Sequence, residues 1–288
     1  MSKGTRMQNW LRVAISAMSK AALIVGLIAN WTAALWLIAL PNVSYAQTSK
    51  AARTADGKPN LNGIWQALNT ANWDIQDHAA RMGPVVALGA AFSIPAGRGV
   101  VEGNEIPYLP EAAARKKENS EHWLTADPEI KCYMPGVPRA TYMPYPFQIA
   151  QTPQHILMAY EFAGATRTIY MNSKLKSPND TWMGWSVGHW EGDTLVVDVT
   201  SFNDQTWFDR AGNFHSDALH VVERYTSISP DALDYEVMIE DPKIFSRPWK
   251  MRMPLYRHLE KDAQLLEYQC VEFAEELLYG PLRKQKSK

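Results

Sequence analysis

The loop formed by residues 203–217 concentrates side chains that could move protons. Histidine titrates near neutral pH, and a carboxylate within hydrogen-bond distance fixes its tautomer and raises its basicity. His215 and Asp217 lie two positions apart, so in an extended segment their side chains point to the same side. The sequence therefore predicts an acid–base pair oriented by Asp217 or Asp209, with Arg210 or Arg224 stabilising a developing anion. The candidate catalytic residues are Asp209, Arg210, His215, Asp217, His220 and Glu223.

Two other interpretations of this loop stay open. In a polar hairpin loop, Asp and His side chains cap backbone groups and perform no chemistry. Alternatively, His215, Asp217 and His220 supply part of a zinc or iron site that His122, His155 or His189 would complete. In an extended chain, however, His215 and His220 face opposite sides. The sequence therefore favours a metal-independent site without a cofactor.

The same part of the chain is rich in aromatic residues. Aromatic side chains usually belong to the core, but each buried indole N–H needs an acceptor. Pockets for small molecules are lined by aromatics and a few polar groups. We therefore expect a pocket for a hydrophobic or aromatic small molecule, although Trp182 and Trp185 would face opposite sides of a regular strand. The candidate ligand-binding residues are Trp182, Trp185, His189, Trp190, Trp207, Phe208, Phe214 and Arg224.

Residues 184–188 match the G-x-S-x-G pattern of serine hydrolases by letter. That motif needs its serine on a tight strand-to-helix turn in an α/β sheet. Here the predicted strand continues into a hairpin whose turn contains Gly192 and Asp193. Ser186 is therefore interpreted as a strand residue that faces inward or toward a neighbour, and not as a nucleophile.

Strand patterns dominate the second half of the chain. In one segment Tyr235, Val237 and Ile239 share a face, while the residues between them are polar or flexible, which is the pattern of a half-buried antiparallel strand. No βα alternation, GxGxxG or phosphate-binding loop is present. A Gly-x-Trp at residues 63–65 marks an earlier first strand, as in lipocalin-like barrels. The candidate strands after Phe147 span residues 155–162, 166–171, 182–190, 194–202, 218–228, 233–240, 249–257 and 265–271.

These patterns predict an all-β fold. Short links between consecutive strands make an antiparallel meander, and a long meander removes its exposed edges by closing into a lipocalin-like barrel. A β-sandwich is the alternative. Residues 61–283 would form a single β-rich domain that includes a proline-rich, irregular N-terminal arm at residues 76–146. Within the arm, residues 110–117 are predicted as the one short helix, because proline suits a first turn and alanine favours helix.

The first 46 residues have the composition of an export signal. Basic residues precede an uncharged apolar run at residues 21–40, and small residues at positions 44 and 46 fit a cleavage site. Cleavage after Ala46 predicts a periplasmic or secreted protein. If the leader stays uncleaved, its apolar run is long enough to tether the chain to the inner membrane. Residues 47–60 are predicted to be a flexible lead-in, and residues 284–288 a basic tail.

Charge and cysteine content restrict the partners and the compartment. Without residues 1–46 the chain has 25 Lys and Arg against 30 Asp and Glu and no basic run. This composition argues against nucleic acid as a partner. Both cysteines, Cys132 and Cys270, lie in the exported part, where an oxidising compartment permits a disulfide between them. Two separate buried thiols are the alternative.

Five segments of the chain are long and distinctive. They are CYMPGVPR at 132–139, PFQIAQTP at 146–153, GHWEGDTLVVD at 188–198, FHSDALH at 214–220 and EYQC at 267–270. They resemble a widespread family of uncharacterised exported bacterial proteins, and the likeness extends over roughly residues 60 to 283. The resemblance implies export and a shared fold. It brings no established activity, so no catalytic residue is transferred.

The sequence thus favours an exported acid–base enzyme, such as a lyase, isomerase or hydratase, acting on a hydrophobic small molecule. His215 would carry the proton. The alternative is a non-catalytic periplasmic carrier or sensor of an apolar ligand. A third hypothesis is an envelope scaffold whose arm docks a partner.

Overall fold

The computed structural model describes residues 52–283, which belong to one compact unit. The predicted leader and the basic tail lie outside the described residues. Of the predicted lead-in, residues 52–60 are described and form a turn closed by a bridge between Arg53 and Pro59. Arg53 also pairs with Asp193, at 2.6 Å, so this turn is held against the barrel wall.

Nine strands form a closed barrel in which each strand lies beside its neighbours in sequence and β1 lies beside β9. The predicted all-β barrel is therefore confirmed. The strands form one closed sheet and not the two stacked sheets of a β-sandwich. The strands are β1 (Gly63–Gln66), β2 (Phe147–Gln151), β3 (His155–Tyr160), β4 (Thr166–Met171), β5 (Trp185–Glu191), β6 (Thr194–Thr200), β7 (His220–Ser229), β8 (Ala232–Glu240) and β9 (Trp249–Arg257).

The pairing departs from a pure antiparallel meander at one place. β4 and β5 run parallel, whereas every other neighbouring pair in the barrel is antiparallel. Parallel neighbours need a connection long enough to return the chain to its starting end. Residues 172–184 provide that connection between β4 and β5. The prediction of an entirely antiparallel sheet was therefore wrong at this pair.

The barrel closes with a strand from the start of the domain. Trp65 and Gln66 of β1 pair with Arg257 and Tyr256 of β9. Residues 266–270 alternate between apolar and polar types, but residues 265–271 form no strand, so their prediction was wrong. Alternation alone does not make a strand, because a neighbour must offer a free edge, and β1 already occupies the outer edge of β9.

Among residues 52–283, four α-helices accompany the barrel, so the prediction of one short helix was wrong. The predicted helix is α1, which begins at Pro110 as expected but continues to Glu121. The last helix was missed because Gly280 and Pro281 interrupt its sequence pattern. The helices are α1 (Pro110–Glu121), α2 (Trp123–Ala126), α3 (Arg139–Tyr142) and α4 (Ala274–Arg283). None of the helices in residues 52–283 has the length and apolar character needed to cross a bilayer.

A disulfide ties the N-terminal arm to the segment after the barrel. Cys132 and Cys270 are bonded, with their Cα atoms 5.7 Å apart and a sequence separation of 138. Buried residues of the arm, including Ile75 and Trp123, belong to the same hydrophobic core as the barrel strands. The arm is therefore an integral layer packed on the barrel.

Candidate functional site

The barrel wall has an opening beside β4. β5 pairs with β4 only over residues 169–171, whereas β3 pairs with β4 from Thr166 onward. Residues 166–168 therefore have a paired strand on one side only. Gly184 turns the incoming chain away at this point with a φ of 68°. A side chain there would lie 2.8 Å from atoms of Phe202 and Val199, so the close approach requires glycine.

An open cleft of about 370 Å³ occupies this opening. That volume lies in the range of small-molecule sites, about 300–1,000 Å³. Its walls combine large apolar side chains with a few polar groups. The main contributors are Met134, Tyr170, Trp182, Met183 and Trp185, together with Thr166 and Thr168 and, at the inner end, Arg167 and Ser186.

The aromatic walls of the cleft are braced from outside. Tyr170 and Trp185 stack with their ring centroids 4.6 Å apart and their planes 17° apart. Trp185 donates its indole N–H to the carbonyl oxygen of Leu175 at 3.1 Å. On the other side, Trp182 packs against Tyr133 at 4.8 Å. These contacts hold the rings of Trp182 and Trp185 in place, and both residues still line the cleft. A planar ligand can therefore pack against preformed apolar walls.

The inner end of the cleft carries an arginine from the barrel interior. Arg167 is 5 % exposed and Ser186 is 2 % exposed. Arg167 forms an ion pair with Glu223 on β7, with Nη1 2.6 Å from Oε2 and Nη2 3.1 Å from Oε1. Tyr225 and Tyr235 each donate their hydroxyl to Glu223 Oε1, at 2.8 and 2.6 Å. We call Arg167, Glu223, Tyr225 and Tyr235 the barrel network.

The barrel network holds its charges firmly. Burial opposes the charge of Arg167, but Glu223 outweighs it and raises the pKa of the guanidinium well above its usual value. Burial, together with Glu223, raises the pKa of both Tyr225 and Tyr235 well above the usual value. The two phenols therefore stay protonated and act as donors. The inner end of the cleft thus presents a fixed guanidinium whose charge is already balanced.

His215, the predicted proton carrier, lies in the core and away from Asp217. It is 2 % exposed. Nδ1 lies 2.8 Å from the carbonyl oxygen of Ser216, and a carbonyl only accepts, so Nδ1 carries the hydrogen. Nε2 then accepts from the hydroxyl of Thr206 at 2.6 Å. Burial lowers the pKa of His215. It is a neutral, fully bonded core residue.

The expected pairing of His215 with Asp217 does not form. The chain turns at residues 217–218 and is not extended there, so the two side chains separate. Asp217 is exposed and bonds to Lys243 Nζ at 2.5 Å. His220 lies on the outer face of the barrel, where Asp198 and Glu240 flank its two ring nitrogens at 3.0 and 2.9 Å. Burial would lower the pKa of His220, but these two carboxylates outweigh it and raise that pKa.

Asp209 and Arg210 join the arm to the loop and do not face the cleft. Asp209 is fully buried and accepts from the backbone N–H of Ile75 at 2.9 Å and from the Asn213 amide at 2.6 Å. Arg210 bonds to Glu129 at 2.8 Å, and its guanidinium lies over the rings of Trp73 and Trp123, 4.6 and 5.1 Å from their centroids. Both residues anchor the arm.

The predicted aromatic set divides into three places. Trp207, Phe208 and Phe214 are buried in the core. Trp190 lies near the end of β5, where it is half-buried against the hydrophobic core, with Lys58 Nζ 5.8 Å from its ring centroid. His189 and Arg224 lie on the outer wall, and both bond to Glu191. Of the predicted ligand-binding residues, only Trp182 and Trp185 line the cleft.

Four residues of the cleft were not predicted from the sequence: Met134, Arg167, Tyr170 and Met183. A signal for Arg167 was present, because in the strand of residues 166–171 it shares a face with Ile169 and Met171. A charged residue on an apolar strand face must find a buried partner. Glu223 stands between Val221 and Tyr225 on the matching face of β7, and the two charges meet inside the barrel.

Two other clefts have weaker chemistry. A larger one, of about 540 Å³, lies between the arm and β9, but its arginines Arg98 and Arg252 are exposed, and Arg252 pairs with Asp234. A smaller one, of about 280 Å³, is lined by Glu129 and Arg210, which bond to each other. Volume alone favours the first, but the cleft beside β4 joins aromatic walls to a buried donor, so we assign the candidate site there.

Within residues 52–283, no group of three or more His, Cys, Asp or Glu side chains is arranged to hold a metal ion. No family model, curated protein or solved structure matches the chain. The likeness to exported bacterial proteins therefore stays a prediction, and the functional argument depends on the geometry of the cleft.

Proposed function

We propose that the protein binds a hydrophobic, planar small molecule in the cleft beside β4, as an exported carrier or sensor. The observation that carries this proposal is the pair of braced aromatic walls that converge on two buried polar groups, Arg167 and Ser186. Braced side chains lose little further entropy when a ligand binds, which favours affinity. A flat ring buried between Trp182 and Trp185 would gain the apolar contact that drives such binding.

Export is part of the proposal. The leader-like composition of residues 1–46 supports it. The disulfide between Cys132 and Cys270 adds support, because such bonds persist in oxidising compartments. A ligand available in the cell envelope is therefore the natural occupant.

An acid–base enzyme is the second candidate. The observation that favours it is the chain of polar groups behind the cleft, in which Arg167 joins Ser186, at 3.5 Å, to Glu223. Glu223 was predicted from the sequence as a catalytic residue. If the protein is an enzyme, its catalytic groups belong to the barrel network, and His215 only stabilises the fold.

A binding experiment tests the proposal. Isothermal titration calorimetry with naphthalene and methyl 2-naphthoate should give saturable binding to the wild-type protein. Trp185→Leu should weaken that binding at least about tenfold through the lost contact area. The matched control is Trp190→Leu, which removes an indole near the other end of β5, away from the cleft, and should leave the affinity unchanged. Absence of binding by every aromatic probe, or equal effects of both variants, would overturn the proposal.

Recovery of the bound molecule separates the two candidates. The protein purified from its native envelope should carry a small molecule that mass spectrometry can identify. The identified molecule is then added back to the purified protein. If it is recovered unaltered after prolonged incubation, the protein is a carrier or sensor. If it is consumed, and Glu223→Gln stops its consumption, the protein is an enzyme.

A further inference from the structure

Arg167 has one N–H group that its network does not use. Nη1 and Nη2 donate to Glu223, and Nη2 also lies 3.0 Å from the hydroxyl of Tyr225. Nε is buried and has no hydrogen-bond partner among the described residues. A buried donor without an acceptor costs about 1–3 kcal/mol. An acceptor atom brought in by a ligand would remove that cost, so this donor favours a ligand with an acceptor.

Ser186 supplies a second donor at the same end of the cleft. Its oxygen accepts, weakly, from Arg167 Nη1 at 3.5 Å. Among residues 52–283 the Ser186 hydroxyl donates no hydrogen bond. Its hydrogen can therefore turn toward a ligand. Both donors lie below the surface of the cleft. Only a slender terminal atom, such as a carbonyl oxygen, suits that depth.

The charge balance restricts the ligand further. Glu223 is 0 % exposed and holds Arg167 through two hydrogen bonds, so the guanidinium charge is neutralised within the barrel. A carboxylate ligand would place a second anion beside Glu223 in a low-dielectric setting. Burial of an uncompensated charge is costly. A neutral acceptor avoids this cost and still satisfies the unused donors.

We propose that the cleft selects planar aromatic molecules that carry a neutral carbonyl oxygen, such as esters, ketones or amides, over the corresponding carboxylates. This inference rests on the proposed binding function and names its ligand class. The ring lies between Trp182 and Trp185, and the carbonyl oxygen accepts from Arg167 Nε and Ser186 Oγ.

Three matched probes test the selection by calorimetry: methyl 2-naphthoate, 2-naphthoate and naphthalene. The wild-type protein should bind the ester roughly tenfold more tightly than either of the others, since one satisfied donor accounts for a factor of that order. Equal or tighter binding of 2-naphthoate would overturn the inference and leave the binding function intact. If no probe binds, the binding function itself fails, and the inference fails with it.

Glu223→Gln tests the charge argument. Glutamine keeps an oxygen for the two tyrosine hydroxyls but leaves Arg167 uncompensated. The preference should therefore reverse, with 2-naphthoate binding more tightly than the ester. Glu236→Gln is the matched control, because Glu236 pairs with Lys250 on the outer wall and should leave the preference unchanged. An unchanged preference in folded Glu223→Gln would contradict the charge argument.

A double variant covers the case in which Glu223→Gln does not fold. Arg167→Met with Glu223→Gln restores neutrality, and neutral replacement of a buried ion pair is often tolerated. This protein should lose most of its preference for the ester over naphthalene, because the Arg167 donor has gone and only Ser186 remains. A retained ester preference would show that Arg167 does not recognise the carbonyl.

Discussion

The protein contains two buried charge networks that differ in completeness. The barrel network leaves one nitrogen of Arg167 unused beside an open cleft. The second, which we call the arm network, joins Asn72, Asp127, Glu129, Arg139 and Arg210 where the arm meets the loop after β6. In it Arg139 Nε donates to Asn72 at 2.9 Å, and its other nitrogens donate to Asp127 and Glu129 at 2.6–2.9 Å.

This difference in completeness distinguishes the network that stabilises the fold from the network that could bind a ligand. In the arm network every nitrogen of Arg139 has an acceptor, and Arg210 takes the remaining oxygen of Glu129 at 2.9 Å. A complete network fixes the arm and has nothing to offer a ligand. In the barrel network the unused donor points to a ligand. Arg210, which the sequence marked as functional, therefore belongs to the structural network, and the unmarked Arg167 belongs to the candidate site.

The largest effect is expected from breaking the arm network. Arg139→Met should lower the free energy of unfolding by about 3–5 kcal/mol, because Asp127 and Glu129 lose their main buried partner. Chemical denaturation measures this change. Arg98→Met is the matched control at an exposed arginine and should change stability by less than about 0.5 kcal/mol. Equal effects of the two variants would show that the arm network is not structural.

The disulfide sharpens the comparison, because Cys132 and Cys270 lie beside the arm network. Replacing both with serine should lower the free energy of unfolding by about 2–4 kcal/mol, since the unfolded chain gains a long free loop. Affinity for methyl 2-naphthoate should fall by less than about tenfold, because Arg167, Tyr170 and Trp185 belong to the barrel wall, whereas only the Met134 side of the cleft lies next to Cys132. A large loss of affinity with little loss of stability would contradict the separation of the two regions.

Asp209, in the loop beside the arm network, makes the stability of the fold depend on pH. Burial raises the pKa of Asp209 to about 7, helped by the charge of Asp74. A folded-state pKa above the unfolded value means that the protonated form stabilises the fold. This stabilisation is complete below about pH 4 and is lost as the pH rises toward 7. Asp209→Asn should remove this dependence of the free energy of unfolding on pH. The same dependence in the variant and the wild type would contradict the role of Asp209.

His215 is expected to show the smallest of these effects. His215→Ala should lower stability by about 2 kcal/mol, since it removes two buried hydrogen bonds and contacts with Phe202 and Phe208. Its lowered pKa means that its stabilising contribution is present above about pH 6.5 and is lost as the pH falls. Probe affinity should not change. Loss of turnover of the native ligand at unchanged stability would instead restore His215 as the proton carrier.

Most of the fold was accessible from the sequence. Alternation predicted the segments of residues 166–171 and 249–257 with the boundaries that the structure has. Closure of a long meander followed from the cost of free edges. The parallel pair was not predictable, because the path of residues 172–184 depends on tertiary contacts. The closing role of β1 was also hidden, since 80 residues separate β1 from β2.

The candidate site was less accessible, because proximity in sequence does not give proximity in space. His215 and Asp217 are neighbours in sequence, but a turn separates them. Trp182 and Trp185 meet at the cleft because Gly184 breaks the strand between them, which a regular strand pattern excludes. Arg167 and Glu223 lie on different strands, and only the closed barrel brings them together.

One measurement tests the central claim most directly. Crystals of the protein grown with methyl 6-bromo-2-naphthoate should show an anomalous bromine peak in the cleft between Trp182 and Trp185. The ester carbonyl should lie within hydrogen-bond distance of Arg167 or Ser186. A bromine peak in the larger cleft beside Arg98, or no peak at a saturating concentration, would contradict the assignment of the cleft beside β4 as the binding site.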